Sequence, residues 1–172
     1  MSMKLAVGDP LPSVGLRATD GYLLNLRSHV SKQPALILFF GAPTLSGAGR
    51  RRGLKVIEAL SSGHERLHQA GIAVMGISCD SEQQQTAFAA KHELPFLLLS
   101  DERRSAVEML GIETVADGEN VNVVQPMALA VDRDGVIRAV IERVDPDALV
   151  DQAVRALSEP IPAAAEDAST GS

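Results

Sequence analysis

One cysteine, one tyrosine and no tryptophan in 172 residues remove several functions before any pattern is read. A lone thiol forms no internal disulfide, so no cross-linked framework holds the chain, and an unpaired thiol suits a reducing compartment. Aromatic residues make up 3% of the sequence, too few to build the stacking platforms on which single-stranded nucleic acid is held. A formal net charge of -6 works against attraction to phosphate backbones and anionic lipid surfaces. No apolar run approaches the length of a membrane span, and the opening residues 1–12 lack the apolar core of a secretion signal. The absences together predict a cytoplasmic protein with no nucleic acid partner, no membrane partner and no metal or other cofactor.

What is present is an ordinary globular composition. Hydrophobic residues at 45% and charged residues at 22% suffice for one buried core in a single domain of this length. That domain is placed at residues 1–157. The Ala/Pro/Ser-rich tail 158–172 has no large apolar residue after Ile161 and is expected to be disordered.

The stretch Ala35 to Gly53 organises the rest. Six residues without a polar side chain, Ala35 to Phe40, suit a strand buried on both faces of a parallel sheet. Gly41, Pro43, Ser46, Gly47 and Gly49 then supply turn chemistry, and the spacing of Leu54, Ile57 and Leu60 predicts a helix from about Gly47 to Ala70, ended by Gly71. Upstream, Val7 to Pro12 reads as an extended entry, and Val14 to Leu16 and Tyr22 to Leu26 read as a hairpin about Asp20-Gly21, followed by a polar link Arg27 to Gln33. Downstream, Ile72 to Ser78 is a second buried strand, Asp80 or Ser81 can cap a helix Glu82 to His92, and Leu94 to Ser100 is a third strand. Asp101 can cap a helix Glu102 to Leu110 that Gly111 stops. Ile112 to Val123 reads as a surface loop. Met127 to Val131 and Val136 to Ile141 flank the turn Asp132 to Gly135, and a last helix spans about Asp145 to Leu157. Strands joined by helices run parallel and the final hairpin is antiparallel, so the sheet is mixed, α/β in class.

Two motifs invite chemistry from the residues alone. Gly47 to Arg52 joins the unpaired N–H groups of a helix start to Arg50, Arg51 and Arg52, a combination that attracts a small anionic ligand. Three successive arginines point about 100° apart on a helix, so a solvated face accounts for most of them. His64-Glu65-Arg66-Leu67-His68 matches the H-E-x-x-H zinc pattern. Yet His64 falls near the apolar face and His68 in the last turn, where imidazole suits the helix C-terminus without any metal.

The segments Gly8 to Pro12, Asp20 to Leu26, Gly71 to Asp101 and Met127 to Gly135 resemble the peroxiredoxin (AhpC/TSA, redoxin) family of the thioredoxin superfamily, over roughly residues 6 to 157. The resemblance implies a thioredoxin-like fold with a mixed central sheet, flanking helices and an N-terminal β-hairpin. It also implies a thiol-dependent peroxidase: a cysteine in the first turn after the buried strand attacks peroxide as its thiolate, and a thiol reductant restores it. At that place this chain carries Thr44, Leu45, Ser46, Gly47, Ala48, Gly49 and Arg50. C-x-x-C spacing falls on Leu45 and Ala48, single-cysteine spacing on Ala48 or Gly49, and anchoring on Pro43 falls on Arg50. None is a thiol. The arginine that the family carries before its penultimate strand falls near Gln125 or Pro126, neither of which supplies that charge, and the superfamily's cis-proline falls on Pro126. The resemblance therefore predicts a redoxin-like protein with a cysteine-less site, used for binding or for non-thiol work. One alternative is an atypical antioxidant oxidoreductase with Cys79 as displaced nucleophile, since Cys79 ends a strand parallel to the buried one. Another is a non-thiol enzyme acting on an anionic small molecule at the helix N-terminus. Family members also form homodimers.

Overall fold

The structure, a computed structural model, describes residues 6–41, 47–112, 114–117 and 120–158, with 47–50, 115–117 and 120–123 described by backbone alone. The expected disorder of the tail falls on 159–172, outside the described residues. Ser158, assigned to the tail from the sequence, is the last residue of the final helix.

The apolar run becomes strand β3, Ala35–Phe39, with every residue buried. Its neighbours are β4, Ala73–Ser78, parallel to it, and β8, Met127–Val131, antiparallel. The remaining members are β1 (Gly15–Ala18), β2 (Leu23–Asn25), β5 (Leu97–Ser100) and β9 (Ile137–Ile141), giving one seven-stranded mixed sheet in the order β2-β1-β5-β4-β3-β8-β9. Alternation along β3 divides the core. Leu36, Leu38 and Phe40 join Val56, Ile57, Leu60, Leu67 and Leu149 on one face, while Ile37 and Phe39 join Met75, Ile77, Leu99 and Val107 on the other.

Helices α2 (Gly47–Ser62), α3 (His64–Gln69), α4 (Glu82–Lys91) and α6 (Leu149–Ser158) contribute to the first of these faces, whereas α1 (Leu26–Val30) and α5 (Ser105–Leu110) contribute to the second. Ser81 caps α4 as expected, whereas the helix expected from Glu102 starts at Ser105 with Arg104 in the N-cap position, and Asp101 reaches its first N–H groups from three residues further back. Ser81 and Gln84 make a reciprocal capping box on α4, and the Asp101 carboxylate accepts the N–H groups of Ala106 at 3.1 Å and Val107 at 2.9 Å at the start of α5. Gly71 and Gly111 take φ of +78° and +68° just after α3 and α5, the left-handed geometry in which helices commonly end.

Four further expectations are corrected. The single helix from Gly47 to Ala70 is broken into α2 and α3 at Gly63, where α6 comes so close that a Cβ on this glycine would lie 2.5 Å from Val150 Cγ2. The link after the first hairpin is partly helical, with the Asn25 side chain accepting the Ser28 N–H as its cap. Ile112 to Val123 is largely a second hairpin: β6 (Thr114–Asp117) pairs with β7 (Asn120–Val124) in a two-stranded sheet of its own. The last helix begins at Leu149, because Asp145 first closes a turn whose carbonyl accepts from both Ala148 and Leu149.

Candidate functional site

The carboxyl edge of β3 is where the chain assembles a cleft. Antiparallel pairing sets Met127, the first residue of β8, opposite Phe39, so Gln125 and Pro126 arrive at the end of β3. Pairing of Ala128 with Ile141 sets the end of β9 beside them, which brings Glu142, Arg143 and Val144 to the same edge. Helix α2 closes the third side with Arg52, Lys55 and Val56. Together with Pro146 these residues enclose a cleft of about 320 Å³. Its walls are Val56, Pro126, Val144 and Pro146, and its rim carries the cations of Arg52, Lys55 and Arg143 against one carboxylate, Glu142.

Cys79 lies at the same edge but on the other face. It follows Ser78 at the end of β4, and β-strand alternation turns the two side chains opposite ways. The Ser78 hydroxyl donates to Asp80 Oδ2 at 2.8 Å and accepts from Gln85 Nε2 of α4 at 2.8 Å; that amide also donates to the Leu99 carbonyl at 2.7 Å. Cys79 instead packs against the cluster containing Met75, Ile77, Leu99 and Val107. Burial pushes its thiol up from an ordinary 9.0 to about 11, with the carboxylates of Asp101 and Asp80 acting in the same sense and the Arg104 guanidinium against it. The result is a neutral, half-buried thiol, whereas peroxide chemistry needs a thiolate.

Of the residues singled out from sequence, Gln125 and Pro126 join the cleft together with Arg52, the last of the arginine triplet. Thr44, Leu45 and Ser46 lie outside the described residues, as do the side chains of Ala48 and Arg50; Gly47, Ala48, Gly49 and Arg50 are placed by backbone alone, as the first turn of α2. The cis expectation for Pro126 is wrong: no described peptide bond is cis, so the bond from Gln125 is trans. His64 and His68 stack on each other with centroids 6.2 Å apart, and His64 stacks on Phe96 at 6.4 Å. Among the described residues no three histidine, cysteine or carboxylate side chains gather as a metal site would require.

Lys55, Val56, Glu142, Arg143, Val144 and Pro146 were missed by sequence reasoning. The register of the β8–β9 hairpin brings the last four to this edge; the turn Asp132 to Gly135 signals that register, but no local signal gives the seating of α2 against them.

A mixed sheet of this order, with a helix following its central strand and an N-terminal hairpin, defines a redoxin of the thioredoxin class. The AhpC/TSA family matches residues 7–140, and the chain belongs to that family. It is similar to the putative peroxiredoxin bcp of Coxiella burnetii (strain RSA 493 / Nine Mile phase I), 28% identical over 154 residues that cover 88% of this chain and 98% of the relative. Peroxiredoxin Bcp of Escherichia coli (strain K12) is 30% identical over 142 residues, covering 80% of this chain and 86% of the relative. Peroxidoxin BcpB of Mycobacterium tuberculosis superposes with a TM-score of 0.74 at 21% identity, covering 88% of this chain and 96% of that one. Peroxiredoxin Q of Xanthomonas campestris gives 0.71 at 19%, covering 86% and 95%. At those identities the two structures speak for the fold. No described helix is long and apolar enough to cross a membrane.

Proposed function

We propose that this chain is a redoxin-like member of the AhpC/TSA family that does not run the thiolate peroxidase reaction and that uses the carboxyl edge of β3 to bind a ligand. One observation carries the reading. The only thiol in the chain is Cys79, and burial holds it neutral with a pKa of about 11 while the family's cysteine position carries none. Attack on a peroxide O–O bond needs a thiolate, since the neutral thiol is a poor nucleophile. The edge itself stays open and charged, which suits binding better than it suits a vacant catalytic centre.

The test is hydrogen peroxide consumption with dithiothreitol or thioredoxin as reductant, comparing the wild type with Cys79→Ser. Both proteins should consume peroxide at the rate of the reductant alone. Rapid turnover that Cys79→Ser abolishes would establish the competing reading, in which Cys79 is oxidised to a sulfenic acid by the peroxide and an external thiol restores it.

A further inference from the structure

We propose that the cleft between α2 and the ends of β8 and β9 binds an organic monocarboxylate with a compact apolar body. This rests on the reading of the edge as a binding site and names the chemical class of its ligand. Three observations converge on that class. The walls are apolar, formed by Val56, Pro126, Val144 and Pro146, and Val56 and Val144 continue the hydrophobic core on that face of the sheet. The rim holds Arg52, Lys55 and Arg143, and none of these three makes an ion pair or side-chain hydrogen bond among the described residues. The excess of cations is local, because the chain as a whole carries -6.

A free inorganic anion would meet the cations and leave the apolar walls wet, and a neutral alkane or alcohol would cover the walls and leave the cations uncompensated. A carboxylate on an apolar body satisfies both, and a guanidinium presents the paired N–H groups that a carboxylate accepts bidentately. Gln125 adds an amide that can donate or accept beside the same wall. The volume, about 320 Å³, sits at the low end of the roughly 300–1,000 Å³ common for ligand pockets, so the body is small.

Octanoate is the probe, titrated into the full chain by calorimetry at 25 °C and by thermal unfolding followed with circular dichroism, beside 1-octanol, acetate and inorganic phosphate. The proteins compared are wild type, Cys79→Ser, Arg52→Glu and Arg143→Glu; both arginines are exposed, so reversing their charge leaves the core untouched. Octanoate should bind and raise Tm logarithmically with its concentration once that exceeds Kd, with affinity falling about tenfold or more in each charge-reversed variant. Acetate, phosphate and octanol should bind at least tenfold more weakly. Phosphate equal to octanoate would mean a site for any anion, and octanol equal to octanoate would mean a bare apolar groove. Either result overturns the proposal, as does absent octanoate binding or binding that both charge reversals leave unchanged. Cys79→Ser should bind octanoate like the wild type. Peroxide turnover with octanoate binding intact would sink only the non-peroxidase reading, and absent binding without turnover would sink only the ligand class.

Discussion

At pH 8 the Cys79 thiol should be nearly inert toward alkylation, and its reactivity measures the feature on which the functional reading turns. The alkylating species is the thiolate. A thiol of ordinary pKa 9.0 is roughly a tenth ionised at pH 8, whereas one at about 11 is ionised to roughly a thousandth, a difference of about 100-fold. Partial burial against Met75, Ile77 and Leu99 restricts access as well, so 100-fold is the smaller end of the expected effect. Iodoacetamide labelling followed by intact-mass spectrometry between pH 6 and 10, on folded protein and on the same chain in urea, reads both contributions. The folded protein should label about 100-fold more slowly or worse, and its rate should keep climbing about tenfold per pH unit through pH 10. A rate that levels off by pH 7 to 8, or that equals the unfolded chain, would reveal a stabilised thiolate and refute the reasoning. The same shift fixes a sign for stability. The folded pKa lies above the unfolded value, so the fold favours the neutral thiol; that contribution is complete below pH 9.0 and is lost as the pH rises through about 11.

Gly63→Ala should destabilise by about 1–3 kcal/mol in urea titrations, because its Cβ meets Val150 Cγ2 at 2.5 Å; Val150→Ala in the same chain should recover most of the loss. Gly76→Ala should cost a similar amount, about 1–3 kcal/mol, since Leu98 Cδ2 at 2.7 Å and Phe40 Cε1 at 3.1 Å leave its Cβ no room in the middle of β4. Ser81→Ala removes one half of the capping box on α4 and should cost about 1 kcal/mol by the same assay. Asp101 is the pH-sensitive group: burial, opposed by the N–H groups it caps and by Arg104, raises its pKa, so the stability it contributes is full below the ordinary 3.8 and declines as the pH rises through the raised value. Asp101→Asn should flatten the dependence of the urea midpoint on pH over that window.

The core elements were legible because their signals are local. β3 and β4 are uninterrupted apolar runs, Ser81 and Asp101 sit where caps are needed, and Asp132 to Gly135 is turn chemistry, with the Asp132 carboxylate accepting the N–H groups of Asp134 and Val136. Two failures are local, the Asn25 cap that makes the link helical and the Asp145 turn that delays the last helix, and the others depend on pairing or packing. Gly63 breaks a continuous helical pattern only because α6 packs against it, a fact held in Val150, nearly ninety residues away. Asp117 and Asn120 carry loop composition, yet they pair across β6 and β7. At the site, Gln125 and Pro126 could be placed by counting back from the terminal hairpin. Glu142 to Pro146 could not, since their approach to Lys55 requires both the β8–β9 register and the seating of α2 on the sheet.

Strand alternation also decides how thiol and cleft relate. Ser78, one residue before Cys79, faces α4 and bonds Gln85 there, so Cys79 must face α5. Val56 and Val144 of the cleft pack on the core cluster of the opposite face, with Leu36 and Leu38. The sheet therefore lies between the only thiol and the ligand wall, and a molecule seated against Val56 and Val144 has no direct line to the sulfur. A mechanism that uses the rim cations to orient a substrate for Cys79 fails on this geometry, whatever the thiol's ionisation. Two independent sites are expected, and they make a quantitative prediction. The effects of Cys79→Ser and Arg143→Glu on stability and on octanoate affinity should add to within about 0.5 kcal/mol in the double variant. A coupling well beyond that value would place thiol and rim in one shared site and would require the sheet edge to open between them.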